Sequence, residues 1–253
     1  MRLYYEKDID FIEQYEKERT EHLLQAMGLE EKQFRYINYE IIKARVKPRR
    51  SIYALKCHAK KIIFHNEFVV DQTGLDYSSI VYNKVNYFLN LYAAVYDEKL
   101  CKSLAEIMSQ YLLLSLQEKI AEIDYIIIPQ GGNFLLGLEV GKQLHKPVIF
   151  ILERERIYKD EFWDGDYNKD RVNNIIVLHD VLVTGACIYR SIRKLPSESY
   201  NLVGVYCMLK YEHKEFKATE NLQANGIEAE KVKCLLEVNE DILKRIKEGS
   251  YEE

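Results

Sequence analysis

In the second half of the chain, short apolar runs alternate with segments that read as helices. "YIIIP" (125–129), "VIFIL" (148–152), "IIVLH" (175–179), "LVGVYCML" (202–209) and "VKCLLEV" (232–238) are of strand length and almost wholly apolar. Strands covered on both faces have this texture, because neither side has to meet water. "NFLLGLEVGKQLHKP" and "CIYRSIRKLP" predict intervening helices, each ending near a proline. Strand, helix, strand, repeated, predicts a parallel sheet with right-handed crossovers.

The first 120 residues differ. They are rich in Tyr and long polar side chains, with helical spacing of apolar positions from Glu6 to Met27 and short β-like pieces in "KKIIFHNEFVVD" (60–71) and "SSIVYN" (78–83). A long helix is predicted over "DEKLCKSLAEIMSQYLLLSLQEKIAEID" (97–124). Its acids lie at the start, and Leu100, Leu104, Ile107, Met108, Tyr111 and Leu114 form a stripe at three-to-four spacing. No internal repeat or low-complexity linker interrupts the chain. Two units are therefore expected, an N-terminal α+β region over 1–120 and an α/β core over 121–253, meeting without a flexible join.

Composition narrows the partners. The 253 residues are 47% hydrophobic and 30% charged, enough for one substantial core. A formal charge of −4 gives no general pull toward nucleic acid or anionic membrane. The exception is "KARVKPRRSIYALKCHAKK" (43–61), where basic residues interleave with apolar ones; it reads as an edge strand or hairpin with a Lys-protected solvated face in preference to a phosphate track. No apolar run approaches the roughly 18 residues of a membrane span, and the acidic N-terminus lacks a secretory pattern, so the expected location is cytoplasmic. Five cysteines, odd in number and without a CxxC pair, predict reduced thiols in place of disulfides or zinc ligands.

In an open parallel sheet, ligands bind beyond the carboxyl ends of the strands. That singles out "PQGGNF" (129–134) and "HDVLVTGAC" (179–187), following the strands at 125–128 and 175–178. The second would present backbone N–H groups where a helix begins, with Gly185 admitting a phosphate and Thr184 adding a hydroxyl donor. Asp180, at the strand's end, could accept hydrogen bonds from sugar hydroxyls beside that phosphate. Each residue also has an ordinary reading: the Gly-Gly pair as a turn, Asp180 as a helix N-cap. Cys187 could be a nucleophile at a helix start, but the sequence identifies no partner base for it.

"IIVLHDVLVTGAC" resembles the PRPP-binding signature of type I phosphoribosyltransferases: an apolar strand, two acids, two variable residues and a Thr-Thr-Gly-x-Thr loop. "DYIIIPQGGNFLLGLEVGKQLHKPVIFILERER" and the closing "NLQANGIEAEKVKCLLEVNEDILKRI" are similar to the orotate branch of that family. The similarity covers roughly Asp124 to Ile246. It implies a type I phosphoribosyltransferase-like parallel sheet with flanking helices, preceded by an N-terminal α+β region that is accessory or hood-like; "RYINYEIIKARVKPRRSIYALK" is not the hood expected for orotate, which leaves the acceptor open to another base. It also implies PRPP as ligand, with Mg2+ carried on PRPP and no direct protein ligand to the metal. By resemblance Asp180 and His179 occupy the catalytic ribose-binding positions. Thr184, Gly185, Ala186 and Cys187 form the phosphate loop, and Gln130, Gly131, Gly132 and Asn133 meet the pyrophosphate. Arg154, Arg156 and Lys159 belong to a mobile loop. The orotate branch also implies a homodimer, for which the stripe of the 97–123 helix is one candidate surface and core packing the other use of that stripe.

The chain departs from the signature at three places. His179 stands where the family has its first acid, Val183 at the first Thr and Cys187 at the last Thr. Each unmade charged hydrogen bond would cost roughly 1–3 kcal/mol of PRPP affinity. Two functions therefore follow from the sequence. The first is a glycosyltransferase of the phosphoribosyltransferase type, joining the phosphoribosyl group of PRPP to a nucleobase nitrogen, an orotate-like pyrimidine first. The second is a catalytically impaired relative that binds PRPP or a nucleotide as a sensor or regulator.

Overall fold

The computed structural model describes residues 31–48, 51–65, 67–71, 86–131, 133–152 and 162–251. The predicted helix at 6–27, the piece at 78–83, Gly132 and the loop cations Arg154, Arg156 and Lys159 lie outside these residues.

The chain forms one mostly parallel six-stranded sheet covered by helices. Its strands are β3 (Tyr125–Ile128), β4 (Val148–Ile151), β5 (Trp163–Asp164), β6 (Asn173–Leu182), β7 (Tyr200–Glu212) and β8 (Val232–Asn239), in the order β5-β4-β3-β6-β7-β8. All neighbours run parallel except β5, which returns antiparallel along β4. The apolar runs have a direct cause. Ile126, Ile128, Ile176 and Leu178 face one core cluster, while Ile127, Ile175 and Val177 face the other, so no position of these runs is left to water.

The first cluster lies under the helices that precede and follow β3. These are α1 (Glu31–Val46), α2 (Ile52–Ile63), α3 (Leu91–Tyr96), α4 (Glu98–Leu116) and α5 (Phe134–Leu144). The second cluster is closed by α6 (Ala186–Ile192) and α7 (Ala218–Ala224). A final helix, α8 (Glu240–Lys247), packs beside a two-stranded antiparallel pair, β1 (Val69–Asp71) and β2 (Tyr87–Leu89). The N-terminal helices and the sheet thus share a single hydrophobic cluster. Among the described residues, no helix is long and apolar enough to cross a membrane.

Two expectations are corrected. The basic stretch at 43–61 is the end of α1 and most of α2, not an edge strand or hairpin. Its short-range alternation resembles a strand, but Leu55, Ala59 and Ile63 recur every four residues and are buried, and Ser51 caps the helix by accepting from Ala54 N–H at 3.2 Å. In the stretch 60–71, likewise, Lys60–Ile63 complete α2 and only Val69–Asp71 is strand.

The long helix forms, with Asp97 capping it through Lys99 and Leu100 N–H groups at 2.8 and 3.0 Å. It stops earlier than expected: Gln117 takes a left-handed φ of 51°, and residues Gln117–Glu122 continue as a 3-10 helix. Of its stripe, Leu104, Ile107, Met108 and Tyr111 are buried in the chain's own core, and Leu100 and Leu114 pack against it half-buried. That face is therefore not a surface on which a homodimer could form.

Candidate functional site

The order of the strands places the site. β3 pairs with β4 on one side and β6 on the other, so successive crossovers leave β3 in opposite directions. The carboxyl ends of β3 and β6 therefore flank a crevice at the switch point. A cavity of about 250 Å³ lies there, its walls including Gly131 from the β3 loop and His179, Asp180, Thr184, Gly185 and Cys187 from the β6 side. Phe88, Leu89 and Leu91, from β2 and α3, close it from the N-terminal region. Nothing in their sequence marks these three apolar residues as a cavity wall.

His179 and Asp180 sit inside β6, which runs four residues beyond the expected strand end at Leu178. The strand changes phase across them. Ile176 and Leu178 face the first cluster and Val177 the second, but Val181 then packs on the first and Leu182 belongs to the second. Both polar residues reach the cavity through this twist, at only 7% and 5% exposure. Asp180 is not a helix N-cap: its Oδ1 accepts from Val181 N–H at 2.9 Å, and the N-cap of α6 is Gly185.

His179 Nδ1 lies 2.8 Å from the same Oδ1, but off the alignment of a hydrogen bond, which leaves this buried nitrogen without a hydrogen-bond partner. Burial opposes the charge on His179. Asp180 and Cys187 together outweigh it and hold the imidazole up at about 9. Reciprocally, His179 lowers the Cys187 thiol through a side-chain hydrogen bond against the opposing effect of burial, with help from Arg190. The partner that the sequence could not supply for Cys187 is therefore His179, across the turn, acting as a cation and not as a base.

The loop at 184–187 is held from within. Thr184 Oγ1 accepts from Ala186 N–H at 3.3 Å, and the Thr184 carbonyl accepts from Asn221 Nδ2 of α7 at 3.2 Å. Gly185 has a left-handed φ of 75°, and a Cβ there would point away from the crevice, 2.7 Å from Leu222 Cγ. Glycine is thus demanded by the turn and by the packing of α7.

The pyrophosphate candidates divide. Gly131, at φ 81°, reaches the cavity; Gln130 and Asn133 are placed behind it. Gln130 N–H donates to Ser191 Oγ at 3.1 Å, and its Oε1 accepts from Lys194 Nζ at 3.3 Å. Asn133 caps α5, accepting from Leu136 N–H at 3.2 Å, while its buried Nδ2 finds no partner. Lys194 was not legible as a site residue. It also donates to the Leu152 carbonyl, tying the ends of β3 and β4 to the turn after α6 with a cation.

Among the described residues no three His, Cys, Asp or Glu side chains converge as a metal site. The crevice offers one carboxylate, one imidazole and one thiol. Mg2+, which favours oxygen ligands and retains several waters, would find most of its oxygens on a bound diphosphate.

No protein-family model matches the sequence, and no curated protein matches it. Its fold, however, is that of the type I phosphoribosyltransferases, with members of the orotate branch among the similar structures. The UMP synthase of Leishmania donovani superposes with a TM-score of 0.57 at 14% identity, covering 77% of this chain and 39% of that one. This chain thus spans about two fifths of that protein's length. The orotate phosphoribosyltransferase of Aeropyrum pernix gives 0.54 at 18% identity, covering 76% and 98%. The Mycobacterium tuberculosis orotate phosphoribosyltransferase in complex with PRPP gives 0.51 at 11%, covering 75% and 99%.

Proposed function

We propose that this chain is a phosphoribosyltransferase of nucleotide metabolism, binding PRPP as its Mg2+ complex and passing the phosphoribosyl group to a nucleobase nitrogen with release of pyrophosphate. One observation carries the reading: the Gly131 turn of β3 and the Thr184–Cys187 loop of β6 converge on the buried carboxylate of Asp180 at the sheet's switch point. A similar fold crystallised with PRPP supports the ligand class. In this reading Thr184 to Cys187 receive the 5-phosphate and Asp180 the ribose hydroxyls. Gln130 to Asn133 lie toward the pyrophosphate, and Arg154, Arg156 and Lys159 supply the closing loop. Mg2+ would offset charge on the departing diphosphate. Asp180 favours the sugar cation that develops as the bond to C1 breaks.

The apolar wall of Phe88, Leu89 and Leu91 supports a hood role for residues 1–120, with an orotate-like pyrimidine as the first acceptor to try. Five free cysteines support a reducing, cytoplasmic setting. A homodimer, as in the orotate branch, would need a surface other than α4.

A second reading, a PRPP or nucleotide sensor, is favoured by His179. An imidazole beside Asp180 partly neutralises the carboxylate on which the sugar cation depends. Calorimetric titration of PRPP, with Mg2+ and then with Mg2+ chelated, tests the site alongside Asp180→Asn. Mg2+-dependent binding lost in the variant supports both readings, and pyrophosphate release with one base of a panel selects the enzyme. Absence of PRPP binding at high concentration overturns both.

A further inference from the structure

We propose that Cys187 is a thiol-modification site at which His179 is the cationic partner of the thiolate and a low-molecular-weight disulfide is the co-reactant. Of the five cysteines only Cys187 is exposed; Cys101 and Cys207 are buried, and Cys57 and Cys234 are half-buried. Its Sγ points across the crevice, 3.8 Å from where a Cβ on Gly131 would stand. Behind it His179 is more than nine-tenths buried, lines the same cavity and has an Nδ1 without a hydrogen-bond partner. An exposed sulfur against a buried, anchored imidazolium is the arrangement that makes one thiol react ahead of others.

The step balances without a further reagent. Cys187 reacts as the thiolate held against the protonated imidazole of His179, its proton released to water, and attacks one sulfur of the disulfide. An Sγ–S bond forms as the reagent's S–S bond breaks, and the departing thiolate takes up the proton. Cys187 is oxidised to a mixed disulfide and one reagent sulfur is reduced to a thiol; a second thiol reverses the exchange. The charged and titratable groups around the thiol are His179 and Asp180 of β6 and Arg190 of α6; Cys207 of β7 lies in register opposite His179. Cys207 is pushed up by Cys234 and burial, so it takes no part. Because Sγ spans the gap between the Gly131 turn and the phosphate loop, an adduct would fill the crevice. That consequence, unlike the exchange itself, rests on the PRPP reading.

The test incubates the full chain with oxidised glutathione and follows intact mass and peptide maps from about pH 5.5 to 9. At pH 6.5 an ordinary thiol is only about 1% ionised, so a thiol held lower carries more of the reactive thiolate there, partly offset by its lower intrinsic nucleophilicity. One adduct is therefore expected on Cys187, reversed by dithiothreitol and forming faster than on Cys57. Its rate inflection should lie below the ordinary thiol value of about 8.5. In His179→Gln the inflection should move up toward about 8.5, with the acid-side rate falling. Equal labelling of Cys57, or a wild-type inflection near 8.5, overturns the proposal even if the variant does not fold. PRPP titration of modified and unmodified protein separates the two ideas. An adduct on a chain that never binds PRPP removes the PRPP reading alone, and PRPP binding without selective adduct formation removes the modification site alone.

Discussion

Nδ1 of His179 lies 2.8 Å from Oδ1 of Asp180, its neighbour on β6, so the one carboxylate of the crevice already faces a cation before any ligand arrives. A sugar hydroxyl donating to Asp180 must share that oxygen or use the other. If the PRPP reading is right, His179→Asp should restore the acid pair of the resembled signature and tighten PRPP binding by about tenfold or more, the worth of one charged hydrogen bond. Calorimetry in the presence of Mg2+ checks this, and unchanged or weaker binding counts against the ribose role of the pair.

The same contacts predict an unusual pH profile. A folded-state pKa of about 9 for His179, against an ordinary 6.5, stabilises the fold fully below 6.5 and is lost as pH rises through 9. The lowered thiol of Cys187 acts oppositely: its stabilisation is present above the ordinary 9.0 and lost as pH falls through the folded value. Across neutral pH the folded state gains one proton and loses another, so the two slopes oppose each other. In Cys187→Ser the thiol slope is gone, and the imidazole keeps only the support of Asp180 against burial. Urea midpoints measured from about pH 6 to 9 should therefore change in slope in the variant, and superimposable profiles would count against a thiol that titrates with the fold.

Gly185→Ala should destabilise the protein whether or not the loop binds phosphate. A non-glycine residue at a φ of 75° costs about 1–2 kcal/mol, and the overlap of its Cβ with Leu222 Cγ at 2.7 Å adds about 1–3. A fall in Tm on the order of 10 °C is expected by scanning calorimetry.

Lys146 is a site where removing a charge should help. Burial lowers its pKa from 10.5 to about 8, although its Nζ donates to the Ala121 carbonyl at 3.2 Å. The unfolded chain holds more protons between these values, so the penalty is complete below about 8 and relieved as pH rises toward 10.5. Lys146→Met should therefore raise the urea midpoint at pH 7, and its advantage should shrink by pH 10.

Asn173 anchors the amino ends of the strands, far along β6 from the crevice. It is fully buried, and its Nδ2 lies 2.6 Å from the Asn168 carbonyl and 3.0 Å from those of Arg171 and Ser199. Asn173→Ala would strand these acceptors at a cost of about 3 kcal/mol, read as a lower urea midpoint. Ligand affinity of the folded fraction should not change.

The sheet was legible because β3 and the middle of β6 are buried on both faces, which writes an unbroken apolar run into 125–128 and 175–178, and because β4 is apolar throughout with Val148 and Phe150 half-buried. The loop after 178 was harder to read. His179 and Asp180 looked like its start because polar residues usually end a buried strand, yet a local twist carries both into a cavity. The contact between Lys194 and Gln130 joins residues 64 positions apart and leaves no periodic trace. The His179–Cys187 pairing bridges a turn whose geometry the residue types do not specify. The basic stretch at 43–61 misled for the opposite reason: charge alternation at short range masked a four-residue apolar repeat.

Leu89 and Leu91 line the crevice at 1% and 2% exposure while belonging to the hydrophobic cluster shared by the N-terminal helices and the sheet. The cavity's roof is therefore also part of the molecule's interior. A mutation that reshapes the roof to admit a different occupant also disturbs the packing that holds α4 and α5 on the sheet. Drift in what the crevice accepts should consequently be slow and accompanied by repacking, and a fragment beginning near residue 120 would lose both its lid and half its interior in one cut.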